Sequence, residues 1–262
     1  MQNILKVEKV TESIVRITMD DEKTGNSLSD QMINLLSTTI KEVSVDKLIK
    51  VIVIAATGKI FCSGHNLKEI TAARENNDQG ESYFRDLFES CSTLMQSIVN
   101  CPKPVIAEID GIATAAGCQL VASCDLAVAS DSSSFATPGV NLGLFCSTPM
   151  VALSRNVKKK DAMKMLLTGD MIDSPEAKRI SLINDHVPSE NLSTEVMELA
   201  NKIASKSMQT VKIGKSAFYK QAELSLSDAY KYTSEIMAEN TMNKDAKEGI
   251  SSFLEKRKPN WE

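Results

Sequence analysis

The apolar positions change period several times along the chain. Ile4 to Val10 and Ser13 to Met19 alternate like strands with one covered face, joined by a short turn at Thr11 and Glu12. Asp21 to Asn26, carrying Gly25, reads as a loop. Ser27, with Asp30 three residues later, has the form of a capping box. The helix it would open places Met32, Ile33, Leu36, Ile40 and Val43 along one face. Val51 to Ala56 is apolar without interruption, as a parallel strand covered on both faces must be. Pro104 to Ile109 and Asp125 to Ala129 are two further strands, and helical stretches at 82–99 and 115–123 separate the three. Strand alternating with helix predicts right-handed βαβ crossovers in a largely parallel sheet.

After Ser147 the strand-like runs nearly vanish, and helices dominate residues 148–254. Ser174-Pro175-Glu176 is a helix start with proline at the first helical position. Ala200 to Lys202, Ser225 to Asp228 and Asn243 to Lys247 are expected within a few residues of the ends or joints of later helices, and repeats are not evident. The expected architecture is α/β, with a core over residues 1–200 and a helical C-terminal region over 201–262.

A chain of 262 residues can bury a large core in one domain or two. Its net charge of −4 supports neither a nucleic-acid partner nor an anionic membrane. The basic runs Lys158–Lys160 and Lys256–Lys258 read as solvated faces. The six cysteines form no C-x-x-C pair, and the two histidines, His65 and His186, lie far apart, which argues against a metal site. Free thiols in apolar surroundings suit a reducing compartment. No apolar run approaches the ~20 residues of a membrane span. Met1 to Val10 carries no signal-peptide pattern, so a cytoplasmic protein is expected.

Two clusters of small residues stand where a backbone could approach a ligand closely: Ser63-Gly64, and Ala115-Ala116-Gly117 at the mouth of a short helix. Taken alone, both read equally well as tight strand-to-helix turns. Their context decides. Ile60-Phe-Cys-Ser-Gly-His-Asn-Leu-Lys-Glu-Ile70 and Pro102 to Leu120 are followed by Cys124-Asp-Leu-Ala-Val-Ala-Ser130 and by Leu167-Thr-Gly-Asp-Met-Ile-Asp-Ser-Pro-Glu-Ala-Lys178. In that order they resemble the motifs of the crotonase (enoyl-CoA hydratase/isomerase) superfamily. The tail Glu248-Gly-Ile-Ser-Ser-Phe-Leu-Glu-Lys-Arg-Lys-Pro259 is similar to that family's C-terminus. The resemblance spans essentially the whole chain.

It implies a ClpP-like spiral of ββα units, with C-terminal helices that build a homotrimer or a dimer of trimers. It also implies an acyl-CoA thioester as substrate, with no separate cofactor, bound in an oxyanion hole made of the amides of His65 and Ala116. Chemistry at the acyl α or β carbon then passes through an enolate-like state that two fixed N–H donors stabilise. By the same resemblance Ser63, Gly64, His65 and Leu67 line the ligand through main-chain groups, together with Gly117 and Cys146. Lys68 and Lys256 take phosphates, a task suited to compact ammonium charges.

Syn hydration needs two carboxylates around one water. At the positions where the family's hydratases carry them, this chain has Gln119 and Gly139. Glutamine orients water but exchanges no proton, and glycine has no side chain. Phe145, Cys146, Ser147 and Thr148 supply no carboxylate either. Of the remaining groups, His65 is either a packed donor residue or an acid/base near neutral pH. Cys146 is either a packed thiol or a nucleophile whose partner would be His65. Asp110 is expected to cap the turn it begins, and Glu108 to leave the sheet or form an ion pair. Phe145-Cys-Ser-Thr-Pro149 resembles a divergent subgroup, the enoyl-CoA hydratase domain-containing protein three group, also thought to lack the usual pair. Two functions follow: weak or altered enoyl-CoA chemistry in fatty-acid metabolism, or a non-catalytic acyl-CoA-binding regulator. A nucleotide-dependent enzyme is disfavoured, since no G-x-G-x-x-G follows any strand.

Overall fold

The computed structural model describes residues 4–261, so the first three residues of the stretch read as free of a leader lie outside it. Two sheets organise the described residues. The larger has the order β1-β2-β3-β5-β7-β10, built from Leu5–Lys9 (β1), Ile14–Met19 (β2), Val51–Ala56 (β3), Val105–Ile109 (β5), Leu126–Ser130 (β7) and Asp185–Val187 (β10). Only β1 and β2 pair antiparallel; every later pairing in this sheet is parallel. The smaller sheet has the order β4-β6-β8-β9, from Ile60–Cys62 (β4), Ile112–Thr114 (β6), Ser134–Ala136 (β8) and Ile172–Asp173 (β9).

The chain winds through both sheets. The strands β3, β5 and β7 of the first are each followed by a three-residue strand of the second and then by helix. After β3–β4 come Leu67–Ala73 (α2) and Glu81–Val99 (α3), the first helix being Asp30–Val45 (α1) between β2 and β3. After β5–β6 comes Ala116–Ser123 (α4), and after β7–β8 come Pro149–Asn156 (α5) and Lys159–Thr168 (α6). This is the expected spiral of ββα units.

The pattern of β3 explains its place. Ile52 and Ile54 point into the main core with α1 and α3, whereas Val51 and Val53 pack beneath Ser189–Ala204 (α8). A strand covered on both faces reads as one apolar run. Beyond the spiral, Ser174–Arg179 (α7) precedes α8, and Met208–Gln221 (α9), Leu226–Thr241 (α10) and Lys244–Leu254 (α11) follow it.

Several expectations need correction. Ser29, not Ser27, caps α1: its extended backbone lets the side chain accept from Met32 N, while Ser27 Oγ is buried without a partner. Asp110 does not cap its turn; its carboxylate accepts from Ser189 Oγ at 2.6 Å, and Ser133 Oγ receives the Gly111 amide instead. Ala200 to Lys202 do lie near the end of α8, which runs to Ala204, and Ser225 and Asn243 stand at the N-caps of α10 and α11. Glu108 forms the ion pair, with Arg16 Nη2 at 2.6 Å.

Candidate functional site

The small sheet assembles the site. Strands β4, β6 and β8 are parallel neighbours, so their carboxyl ends share one edge. Three segments leave that edge side by side: the turn 63–66 after β4, Ala115 and the N-terminus of α4 after β6, and Thr137 to Gly139 after β8. The two turns singled out from the sequence touch. A Cβ on Gly64 would lie 2.9 Å from Ala115 Cβ and 3.3 Å from Ala116 N. On Gly117 it would lie 2.2 Å from the Cys62 carbonyl oxygen, so only glycine lets α4 start against the end of β4.

Hydrogen bonds lock both turns. Ser63 N donates to Gly25 O at 3.0 Å, and Ser63 O accepts from Thr114 Oγ1 at 3.1 Å. Gly64 O accepts from Leu28 N at 2.8 Å. Asn26 braces the same corner, its buried amide donating to Thr57 O and Ile60 O. Ala115 holds φ 51°, ψ −118°, a conformation that strongly favours glycine, and its N–H is fixed by Ala136 O at 2.9 Å. Such a backbone costs on the order of 1–3 kcal/mol, and residues of this kind cluster at binding sites. The sequence carried no sign of it. Among the described residues neither His65 N nor Ala116 N has a backbone acceptor, which leaves both donors free for a ligand.

The two positions expected to hold the acid/base pair carry no carboxylate, and the carboxylates near the first turn, Asp30 and Glu69, lie on the α1 and α2 side of His65. Gln119 on α4 is buried with no partner for Oε1, and Thr137 Oγ1 is likewise buried and unpaired. Gly139 has no room for a larger residue. A Cβ there would meet Cys146 Sγ at 2.9 Å and Leu144 O at 2.9 Å, so the thiol fills the space that a residue-139 side chain would need. Burial raises the Cys146 thiol above its ordinary pKa, and burial pushes its neighbour Cys118 up to about 12. Cys146 is therefore brought to Gly139 and Cys118, and His65 to different partners. The His65 ring lies edge-on to Phe88 with centroids 5.4 Å apart, its Nδ1 is 3.4 Å from Leu28 O, and its Nε2 is buried without a partner. Burial lowers its pKa, against the Leu28 carbonyl and the Asp30 charge.

Leu67 and Lys68 are exposed on the first turn of α2, which Asn66 caps by accepting Lys68 N at 3.0 Å. Lys256 stands apart, on a left-handed residue after α11, and no hydrogen bond or ion pair between described residues joins it to the first turn.

These features have close counterparts. The enoyl-CoA hydratase/isomerase family model matches residues 9–262. Enoyl-CoA hydratase domain-containing protein 3, mitochondrial, of Xenopus laevis is 50% identical over 257 residues, covering 98% of this chain and 86% of that protein. The human protein of that name is 49% identical over 250 residues, covering 95% of this chain and 81% of its own length. Among solved structures, an enoyl-CoA hydratase from Mycobacterium smegmatis superposes with a TM-score of 0.94 at 42% identity, covering 99% of each chain. Human enoyl-CoA hydratase domain-containing protein 3 gives 0.94 at 47% identity, covering 99% of this chain and 100% of that one. The expectation of a cytoplasmic protein is overturned here, because the frog, human and zebrafish relatives are all named mitochondrial. A folded domain's composition and buried thiols do not encode an address, which targeting segments carry.

Proposed function

The chain belongs to the enoyl-CoA hydratase/isomerase family, and from that premise we propose that it binds an acyl-CoA thioester at the junction of its two turns, with hydration weak or altered. The carrying observation is the contact of Gly64 with Ala115 and Ala116, beside two amides that lack backbone acceptors. His65 N and Ala116 N hold the thioester oxygen. Gly117 admits the ligand by keeping α4 against β4, and Ser63, Gly64, Leu67 and Lys68 border the CoA, whose own chemistry needs no further cofactor. Lys256 completes the phosphate contacts. Gln119 and Gly139 occupy the acid/base positions without supplying a proton.

Of the two expected regions, 1–200 and 201–262, the described residues of the first form the core and those of the second the arm that meets other copies in a trimer or a dimer of trimers. The exposure of Phe218, Leu226, Tyr230, Met237 and Phe253 along α9–α11 supports that assembly. The frog and human relatives, both named mitochondrial, support a mitochondrial setting for this work.

Titration of the protein with butyryl-CoA and a crotonyl-CoA hydration assay test the reading together. Binding with slow or absent hydration is expected; turnover like that of a two-glutamate hydratase contradicts the weakened chemistry, and absence of binding contradicts the ligand. A non-catalytic regulator is the second reading, favoured by the thiol that fills the space beside Gly139. It predicts binding with no turnover across a series of CoA thioesters.

The same contact sets the outcome of restoring a carboxylate. Gly139→Glu drives its Cβ into Cys146 Sγ and the Leu144 carbonyl, so overpacking should cost roughly 1–3 kcal/mol, read as a lower urea midpoint. Gln119→Glu alone avoids that clash but buries a carboxylate with no counter-charge, so its midpoint should also fall, and fall further at pH 8 than at pH 5, where the carboxyl can fold neutral.

A further inference from the structure

The geometry points to the His65 imidazole as the general base that removes and returns an α-hydrogen of a bound acyl thioester; this rests on the acyl-CoA reading above. His65 supplies, through its own N–H, one of the two proposed donors to the thioester oxygen. Its ring is therefore carried on the residue whose amide holds that oxygen; Nε2 is covered in the unliganded chain, and the acyl chain must displace that cover to bring its α-hydrogen within hydrogen-bond reach.

The imidazole ring is held in place. It is steadied between Phe88 and the Leu28 carbonyl, and Nε2 has no partner among the described residues. A buried polar nitrogen left unpaired is costly, and such an atom at a ligand site calls for a function. Burial lowers the ring's pKa below its ordinary 6.5, so the neutral, proton-accepting form prevails at pH 7. The charged and titratable groups nearby are Asp30 on α1, Glu69 on α2 and Tyr83 on α3. These bond mostly to one another: Tyr83 OH to Asp30 Oδ1 at 3.2 Å, and Asp30 N to Glu69 Oε2 at 3.1 Å. Asp30 still acts through space on His65, favouring the imidazolium that proton transfer creates.

Elimination adds weight. Gln119 carries no exchangeable charge, Gly139 has no side chain, and burial holds the Cys146 proton on sulfur.

In the step, the Cα–H bond breaks and the proton goes to Nε2. The electron pair moves onto the thioester oxygen as an enolate held by the two amides. Reversal returns a proton, or in D2O a deuteron, to the α-carbon. No oxidant or co-reactant is involved.

The test is deuterium uptake by butyryl-CoA in D2O, followed by mass spectrometry, with wild type, His65→Gln and His65→Phe. Both variants keep the backbone amide, and the second keeps ring packing on Phe88. Uptake should fall at least ~100-fold in each variant while butyryl-CoA affinity changes only a few-fold. Wild-type uptake should rise with pH and level off beyond an inflection below 6.5. Uptake unaltered in either ligand-binding variant, or a wild type that binds butyryl-CoA without exchanging, overturns the role of His65 and leaves the ligand reading intact. A wild type that binds no butyryl-CoA overturns both. If neither variant binds, the wild-type pH profile decides: an inflection below 6.5 supports the role, and its absence overturns it.

Discussion

Lys215→Ala should lower the folding free energy by about 3–5 kcal/mol, the largest loss expected from any single side chain outside the site. Lys215, on α9, reaches into the core. Its Nζ donates to Asp125 Oδ2 at 2.6 Å and to the carbonyls of Ile98 and Lys103, both at 3.0 Å. The Lys215 and Asp125 side chains are only 7% and 15% exposed, so solvent screens the pair little. Asp125 also accepts Val105 N at 2.7 Å and Tyr219 OH at 2.9 Å. Truncation would leave a buried carboxylate with two neutral donors and no counter-charge. Because Lys215 and Tyr219 are both on α9, the same change should loosen the C-terminal arm from the spiral. Urea unfolding measures the loss, and faster proteolysis at the joint 205–207 reports the loosened arm. Lys215→Arg keeps the charge but brings a planar fork into a site shaped for an ammonium, and should recover only part of it. A midpoint for Lys215→Ala within error of wild type would remove this pair from the account of how the arm is held.

Much of the fold was legible because it rests on long, repetitive signals. The apolar run of β3 could be read as a doubly covered strand because each of its faces meets a different core. Three-residue strands have no period to read, so β4, β6 and β8 stay hidden until the parallel register of the small sheet aligns them. The α1 cap shows a different limit. Two serines lie two residues apart, and only the backbone at Ser29 decides between them.

The site divides in the same way. Gly64 and Gly117 were legible because a glycine beside a turn signals lack of space. Ala115 was not, since alanine ordinarily avoids the backbone it adopts here, and tertiary contacts from Ala136 and Gly64 hold it there. Nor could spacing reveal that Cys146 fills the space beside Gly139, because six residues and a turn lie between them. The same applies to His65, whose ring partners Phe88 and Leu28 come from elements distant in sequence.

Gly117→Ala should abolish acyl-CoA binding while leaving a folded protein. The added Cβ would stand 2.2 Å from the Cys62 carbonyl oxygen and 2.8 Å from Cys62 Cβ, and β4 is anchored through its pairing with β6. A flexible side chain could swing aside; a backbone carbonyl at the end of a buried strand cannot. Relief must come from α4, whose N-terminus would back away from β4 and carry Ala116 N with it. The two amides would then no longer converge on one oxygen. Losing a single such donor costs roughly 3–4 kcal/mol of transition-state stabilisation, a 10²–10³-fold loss in rate. Butyryl-CoA titration should accordingly detect no saturation at concentrations that saturate wild type. The core beneath the helix, with Cys118, Leu120 and Val121 buried, should keep the chain folded with a lowered melting temperature. Gly214→Ala is the matched control: its Cβ meets nothing within 4 Å, and it should bind as wild type does. Unchanged binding by Gly117→Ala would mean that the close approach of α4 to β4 is incidental, and the ligand would have to be sought elsewhere than at these two turns.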